Sequence, residues 1–263
     1  MAARPDADGS SSVRSRLLAD DPYAGFPIGD WDLDLQGWGS HHPLLGELIG
    51  LLEPKLIVEV GTWKGASAIE MAREARRRGL ATEIVCIDTW LGSAGTAIRR
   101  DESFRDLRHR HGYPQLYFQF LANVIGAGAA DTIVPLPQTS ANAAQILGEL
   151  GIRPNLVYLD AAHDEDSVRR DLEVYFPLLE APCALAGDDF VEGKPGLVRA
   201  VREFAADRGL ELHVDREKFV LSSDPGLGER LLARPDRWRR ARWRAGRLRQ
   251  RLNRERRERE PAT

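Results

Sequence analysis

Residues Leu56 to Asp88 read LIVEVGTWKGASAIEMAREARRRGLATEIVCID, and this stretch decides the fold. A short apolar run, Leu56-Ile57-Val58, leads through Glu59 into a turn rich in glycine, Gly61-Thr62-Trp63-Lys64-Gly65-Ala66-Ser67. An amphipathic run to about Arg78 follows, then a second apolar run, Ile84 to Ile87, that ends on Asp88. The order strand, glycine turn, helix, strand, acid predicts an open α/β sheet that binds a nucleotide-like cofactor where the first turn meets the sheet edge. Gly61 permits the tight turn and leaves room for a ligand, and Gly65 brings the helix start close to it. An acid closing the second strand suits a ribose diol. The spacing G-x-x-x-G lacks the third glycine of a dinucleotide fingerprint, and no Lys-Ser/Thr pair follows it as in a P-loop. A carboxylate at Glu59 also argues against a pyrophosphate, because like charges would face each other.

Outward from this stretch, further apolar runs alternate with helical patterns. Asp131 to Leu136, Leu156 to Asp160 and Cys183 to Ala186 read as strands, and Ala141 to Leu150, Glu165 to Leu179 and Leu197 to Arg208 as helices. Glu211 to Val214 and Lys218 to Leu221 read as a closing hairpin. Together they predict a Rossmann-like three-layer sandwich: a mostly parallel sheet of about seven strands, helices on both faces, and an antiparallel last hairpin. Residues 1–16 read as disordered, 17–54 as an N-terminal aromatic and helical extension, 55–222 as the main domain, and 223–263 as an arginine-rich helix or tail. Residues 94–125 read as an insertion in the main domain, a lid over the strand ends. Tyr23, Phe26, Trp31 and Trp38 suit either a cover over the site or anchors for the extension. His41 and His42, adjacent and before a helix, suit capping more than chelation. From Arg234 on there are 13 arginines against four acids, with Trp238 and Trp243, a pattern of a solvated tail whose tryptophans dock on the domain.

A net charge of −3 makes no case for nucleic acid as a partner. Cys86 and Cys183, both in strand-like runs, read as reduced core thiols, which points to a cytoplasmic protein. No run is long and apolar enough to cross a membrane. A homo-oligomer is compatible with the sequence.

The chemistry concentrates at three acids. Asp160 ends the fourth strand, and Asp188 and Asp189 follow the fifth. Neighbouring parallel strands bring these ends together at the edge that carries the glycine turn. Three carboxylates in a small volume repel one another unless a cation neutralises them. Oxygen ligands favour Mg²⁺ or another hard divalent cation, so Asp160, Asp188 and Asp189 are candidate metal ligands. His163, three positions beyond Asp160, is a candidate base or substrate contact, and Asp160 is a candidate for ligand and base together.

These motifs carry a resemblance. E-x-G-x-x-x-G-x-S from Glu59 to Ser67, with a strand ending in Asp88, resembles the class I S-adenosylmethionine-dependent methyltransferases. The segments CIDTWLGS, LRHRHGYPQLYFQFLANVI, PLPQTSANAA, VYLDAAHDEDSVRRDLEVYFPLL and AGDDF are similar to the metal-dependent small-molecule O-methyltransferases, within them to the macrolide-sugar subgroup with which the so-called cephalosporin hydroxylase proteins are grouped. The resemblance covers about residues 55–222. It implies an enzyme that transfers a methyl group from S-adenosylmethionine to a hydroxyl of a sugar, polyketide or similar small molecule, assisted by a divalent cation. It further implies that Glu59, Gly61, Thr62, Gly65 and Ser67 lie around the methionine moiety, that Asp88 binds the ribose, and that Thr89 and Trp90 pack near the adenosine. Thr139 and Ser140 would contact the adenine side, Asp160, Asp188 and Asp189 would hold the metal, and Phe190 would border the substrate. The family commonly has Pro-Gly-Gly before the fifth strand, where this chain has Ala181-Pro182-Cys183-Ala184, a change that bears on packing more than activity. A metal-dependent hydrolase or hydroxylase on the same fold, or a non-catalytic binding protein, stands as the alternative.

Overall fold

A computed structural model of the chain describes residues 12–36 and 40–233. Of residues 1–16, expected to be disordered, 1–11 lie outside the described residues, as do Trp38 and the arginine-rich stretch with Trp238 and Trp243, whereas Val13–Leu17 form a short helix.

The strands are β1 (Leu56–Val60), β2 (Glu83–Asp88), β3 (Ile133–Pro137), β4 (Leu156–Leu159), β5 (Ala184–Gly187), β6 (Glu211–Asp215) and β7 (Lys218–Ser222). They form one seven-stranded sheet in the order β3-β2-β1-β4-β5-β7-β6. The first five run parallel, and β7 pairs antiparallel with both β5 and β6. The sandwich expected from alternating apolar runs is the fold observed.

Helices cover both faces, as parallel strands that bury both sides require. On one face, Ile57, Ile84, Cys86 and Tyr158 pack beneath α2 (Pro43–Leu52), α3 (Ala66–Arg77) and α6 (Leu116–Gly126). On the other, Val58, Val60, Val85 and Ile87 pack beneath α7 (Ser140–Glu149), α8 (Glu165–Tyr175) and α9 (Pro195–Arg208). The alternation of strand residues between two apolar clusters is the two-residue period of a strand buried on both faces. The remaining helices are short: α1 (Val13–Leu17), α4 (Ala94–Arg99), α5 (Glu102–Asp106) and α10 (Leu227–Leu232).

Two expectations are refined. The insertion does not extend to residue 125 as a lid, because α6 is the crossover helix between β2 and β3. Leu116, Phe120, Leu121 and Val124 on it are buried in the core, which leaves α4, α5 and the loop to 115 as the insertion. Cys183 is half-buried just before β5, whereas Cys86 is fully buried inside β2.

The N-terminal aromatics act as anchors. Tyr23 donates from its hydroxyl to the Ile133 carbonyl at 3.0 Å. Phe26 and Trp31 stack around Phe118 on α6, with ring centroids 6.5 and 6.2 Å away. His42 caps α2, its Nδ1 accepting from the Leu44 amide at 3.2 Å.

Candidate active site

The first end of the site is built by the turn after β1. Gly61 has φ 88°, and a Cβ there would lie 2.3 Å from the Asp160 carbonyl oxygen. Only glycine lets the turn lie this close to the end of β4. Gly65, φ 86°, starts α3 where a Cβ would lie 2.9 Å from the Phe120 ring. Beneath the turn, Glu59 is fully buried and accepts a hydrogen bond from the Ser67 hydroxyl. Burial without a cation pushes its carboxyl up to about 7.

Asp88 holds the two turns together. Its carboxylate accepts from the Trp63 amide at 2.9 Å and, through the other oxygen, from the Trp90 amide at 2.7 Å. Both tryptophans take left-handed backbone conformations, φ 53° and 52°, which the two amide bonds offset. The Trp90 indole donates to the Trp63 carbonyl at 2.7 Å, closing the arrangement. Each oxygen of a carboxylate can accept two hydrogen bonds. The Thr62 and Thr89 amides also turn toward Asp88, and its carboxylate borders an open cleft.

The second end is built by the residues after β4 and β5, which pair in parallel. One ligand atom each from Asp160, His163 and Asp189 lies within 4.8 Å of the others. His163 Nε2 is 2.5 Å from an oxygen of Asp189, and the Lys194 ammonium pairs with that same oxygen. The His163 hydrogen bond and the Lys194 contact hold the Asp189 carboxyl down at about 2. Desolvation and the neighbouring Asp188 push Asp160 well above the usual carboxylate range.

Asp188 is engaged differently from its neighbour. The Lys218 ammonium approaches one of its oxygens at 2.5 Å, and the Tyr158 hydroxyl donates to that oxygen at 3.0 Å. Its other oxygen accepts from the Asp189 amide at 2.8 Å. Past the end of β5 the chain leaves the extended conformation, with Asp189 at φ 62°, and the two adjacent acids divide. Asp189 faces His163, and Asp188 faces the lysine on β7.

A cleft of about 650 Å³ joins the two ends. Gly61, Thr62, Ser67, Asp88, Thr89, Thr139, Ser140, Asp160, His163, Asp188 and Asp189 all border it. Thr139 also caps α7 through the Asn142 amide, and the Ser140 hydroxyl donates to Asp171 on α8. Three residues expected at the cofactor do not border the cleft. Glu59 lies under the turn, Gly65 faces Phe120, and Trp90 is buried against Tyr117 and Phe120, with ring centroids 4.9 Å from each. Phe190 is buried against Phe219.

Other residues of the site went unread in the sequence. Gln36 and Ser40 from the N-terminal extension, Trp63 from the turn, Thr96 from α4 and Glu217 from the β6–β7 turn border the cleft. Lys64, Lys218 and Tyr158 hold its acids or its covers. Trp63 had a signal, its place inside the glycine turn. The rest meet the cleft from segments remote in sequence.

A family model described as a methyltransferase domain matches residues 58–190. No curated protein matches the sequence. Among solved structures, the O-methyltransferase NovP is similar at 18% identity over 69% of this chain and 77% of its own, with a TM-score of 0.51. The O-methyltransferase TomG from Streptomyces achromogenes, solved with SAM, matches at 18% identity, 72% and 81% coverage and a TM-score of 0.50. Cofactor-bound Rv0187 from MTB matches at 19% identity, 84% and 97% coverage and a TM-score of 0.51. At these identities the likeness speaks to the fold.

Proposed function

The chain belongs to the methyltransferase-domain family, and we propose that it moves a methyl group from S-adenosylmethionine to a hydroxyl of a small molecule, a sugar, polyketide or similar, with the help of a divalent cation. The observation that carries this reading is the single cleft that runs from Asp88 to the Asp160, His163 and Asp189 cluster. A cofactor-sized cradle and a cation-sized cluster thus open into the same space.

The residues suit both groups. At the cofactor end, the Asp88 carboxylate borders the cleft as the acceptor proposed for a ribose diol, and the missing Cβ of Gly61 keeps the floor of the cleft open. Thr139 and Ser140 border the same space from the start of α7. S-adenosylmethionine supplies a methyl group already activated on a sulfonium, so the protein has mainly to align the acceptor oxygen and take its proton. At the other end, Asp160, His163 and Asp189 would hold the cation, which supplies charge that acidifies a nearby hydroxyl. Two carboxylates suit Mg²⁺ or Mn²⁺, and the imidazole widens the choice toward softer ions. Asp188 is proposed as a support for this set, since the buried Lys218 and Tyr158 occupy one of its oxygens. Asp160 and His163 are the groups in place to receive the hydroxyl proton. The reading assigns the reaction to the cytoplasm and to an acceptor other than nucleic acid.

Calorimetric titration with S-adenosylhomocysteine is expected to show one site per chain, weakened ~10–100-fold in Asp88→Ala by loss of bonds to a charged acceptor. Mn²⁺ followed by electron paramagnetic resonance is expected to show one site that Asp160→Asn removes. Methyl transfer to a panel of diols and catechols is expected to stop in EDTA. Absence of S-adenosylhomocysteine binding in the wild-type protein would overturn the reading.

A further inference from the structure

Lys64 lies in the middle of the glycine turn, between Gly61 and Gly65, yet its side chain is only 1% exposed. Its ammonium is 2.6 Å from Asp34 and 2.8 Å from Asp106. Asp34 belongs to the extension before the sheet, and Asp106 ends α5 in the insertion after β2. One ammonium thus fastens two segments, from opposite directions in sequence, to the turn at the cofactor end.

Both segments serve the cleft. The extension is held along its length: Gln119 donates to the Asp32 carbonyl at 2.8 Å, and Asn123 both accepts from the Asp34 amide and donates to its carbonyl at 2.9 Å. Asn123 donates also to the Lys64 carbonyl at 2.9 Å, so α6, the extension and the turn share one set of bonds. Further on, the Trp63 indole donates to Gln36 at 3.3 Å, and Gln36 borders the cleft. On the insertion side, Ser93 and Thr96 border it from α4, which α5 follows after a two-residue link.

A buried lysine needs partners, because an unpaired ammonium out of water is costly. Two carboxylates brought to one point need a cation between them for the converse reason. Lys64 ties both segments to the turn, and their two carboxylates together offset its burial. We infer that Lys64 is a positioning residue that couples the conformation of the cofactor turn to the closure of the extension and of α4–α5 over the cleft. The inference rests on the methyltransferase reading, since it takes S-adenosylmethionine as the ligand at the turn. Because coupling is reciprocal, a ligand that settles the turn steadies both covers, and loosening either cover weakens the ligand.

The test combines calorimetry with hydrogen exchange on the full-length protein, using S-adenosylhomocysteine as the probe. In wild type, the probe is expected to slow exchange in residues 31–36 and in 101–107 together. In Lys64→Met, probe affinity is expected to fall ~10-fold, within the range usual for coupled sites, and protection of both covers to disappear. Lys64→Arg, which keeps the charge, is expected to restore much of both. Asp106→Asn changes one partly exposed carboxyl, and serves if Lys64→Met does not fold. It is expected to weaken the probe severalfold and to release 101–107 more than 31–36. Full affinity and full cover protection in Asp106→Asn would overturn the inference, as would wild-type covers that exchange alike with and without bound probe. A wild type that binds no probe at all would overturn the methyltransferase reading, and this inference with it.

Discussion

Lys64 and Lys218 stand at opposite ends of one cleft, and both are withdrawn from water, 1% and 0% exposed. Each ammonium touches two oxygen-bearing groups. The partners differ in what holds them. Tyr158 belongs to β4, Asp188 follows β5 and Lys218 opens β7, so their positions are set by strand register. Asp34 and Asp106 come from an extension and a short helix that lie over the sheet. Their carboxyls keep 16% and 14% exposure, against 8% for Asp188. A lysine inside the sheet fixes an acid in place, whereas a lysine on the turn joins parts that can move apart. On the inference drawn above, the same chemistry gives stiffness at the proposed cation end and coupling at the turn.

The largest effect is expected from Lys218→Met. It leaves the Asp188 carboxyl buried beside a tyrosine with no cation, and breaking a buried pair in this way costs about 3–5 kcal/mol. For a chain of this size, that lowers the melting temperature by roughly 10 °C. Adding Asp188→Asn should recover much of the loss, because the stranded charge goes with it. A melting temperature unchanged in the single variant would remove the contrast between the lysines.

Glu59 shows what burial does when no lysine is near. Its folded carboxyl holds its proton to about 7, against 4.5 for an ordinary glutamate, because burial disfavours the charge. The folded chain therefore binds more protons than the unfolded chain between those values, and stability falls as pH rises through that window, then levels off. At about 1.4 kcal/mol per pH unit, the fall is on the order of 3 kcal/mol. In Glu59→Gln this contribution disappears. Urea unfolding at pH 5 and pH 8 should show the variant gaining on wild type at the higher pH. A constant difference between the two would mean that Glu59 stays charged in the fold.

These pairings also mark the limit of what the sequence could reveal. The strands, their order of appearance and the acids that close β4 and β5 are written locally, in apolar runs punctuated by glycine and aspartate. Gly61 and Asp88 were legible for the same reason. Lys64 and Lys218 were not. In sequence each is a lysine in or beside a turn, where solvation is the natural expectation, and the carboxylates that bury them lie 30 to 42 residues away. Asp188, expected among the metal ligands, is engaged by Lys218, and His163, expected as a base, lies in the cluster with Asp160 and Asp189. Trp90 looked like a wall of the cofactor site because it follows a strand end, yet its left-handed backbone turns the ring into the core.

Lys64→Met is expected to cost less stability than Lys218→Met, about 2 kcal/mol. Water reaches Asp34 and Asp106 once the covers part, so neither carboxyl is stranded, and screening discounts the rest. Its mark should instead be on the ligand-bound protein. The rise in melting temperature given by S-adenosylhomocysteine follows the ratio of concentration to Kd, and at one fixed ligand concentration should shrink in Lys64→Met while staying whole in Lys218→Met. Equal shrinkage in both would mean that the two ends act as one unit.

The smallest change makes the sharpest cut. Tyr158→Phe removes a hydroxyl that donates to Asp188 at 3.0 Å and accepts from Lys218 at 2.6 Å, but leaves the ion pair between them in place. Losing a bond to a charged partner in the core costs about 1–2 kcal/mol, a few degrees in melting temperature. Since Tyr158 is held by β4 and touches neither cover, S-adenosylhomocysteine affinity should not move. A loss of affinity as large as that of Lys64→Met would show that the sheet end is itself part of the joint. The division of labour between the two lysines would then be one of degree, set by how far each partner can travel from the strand that carries it.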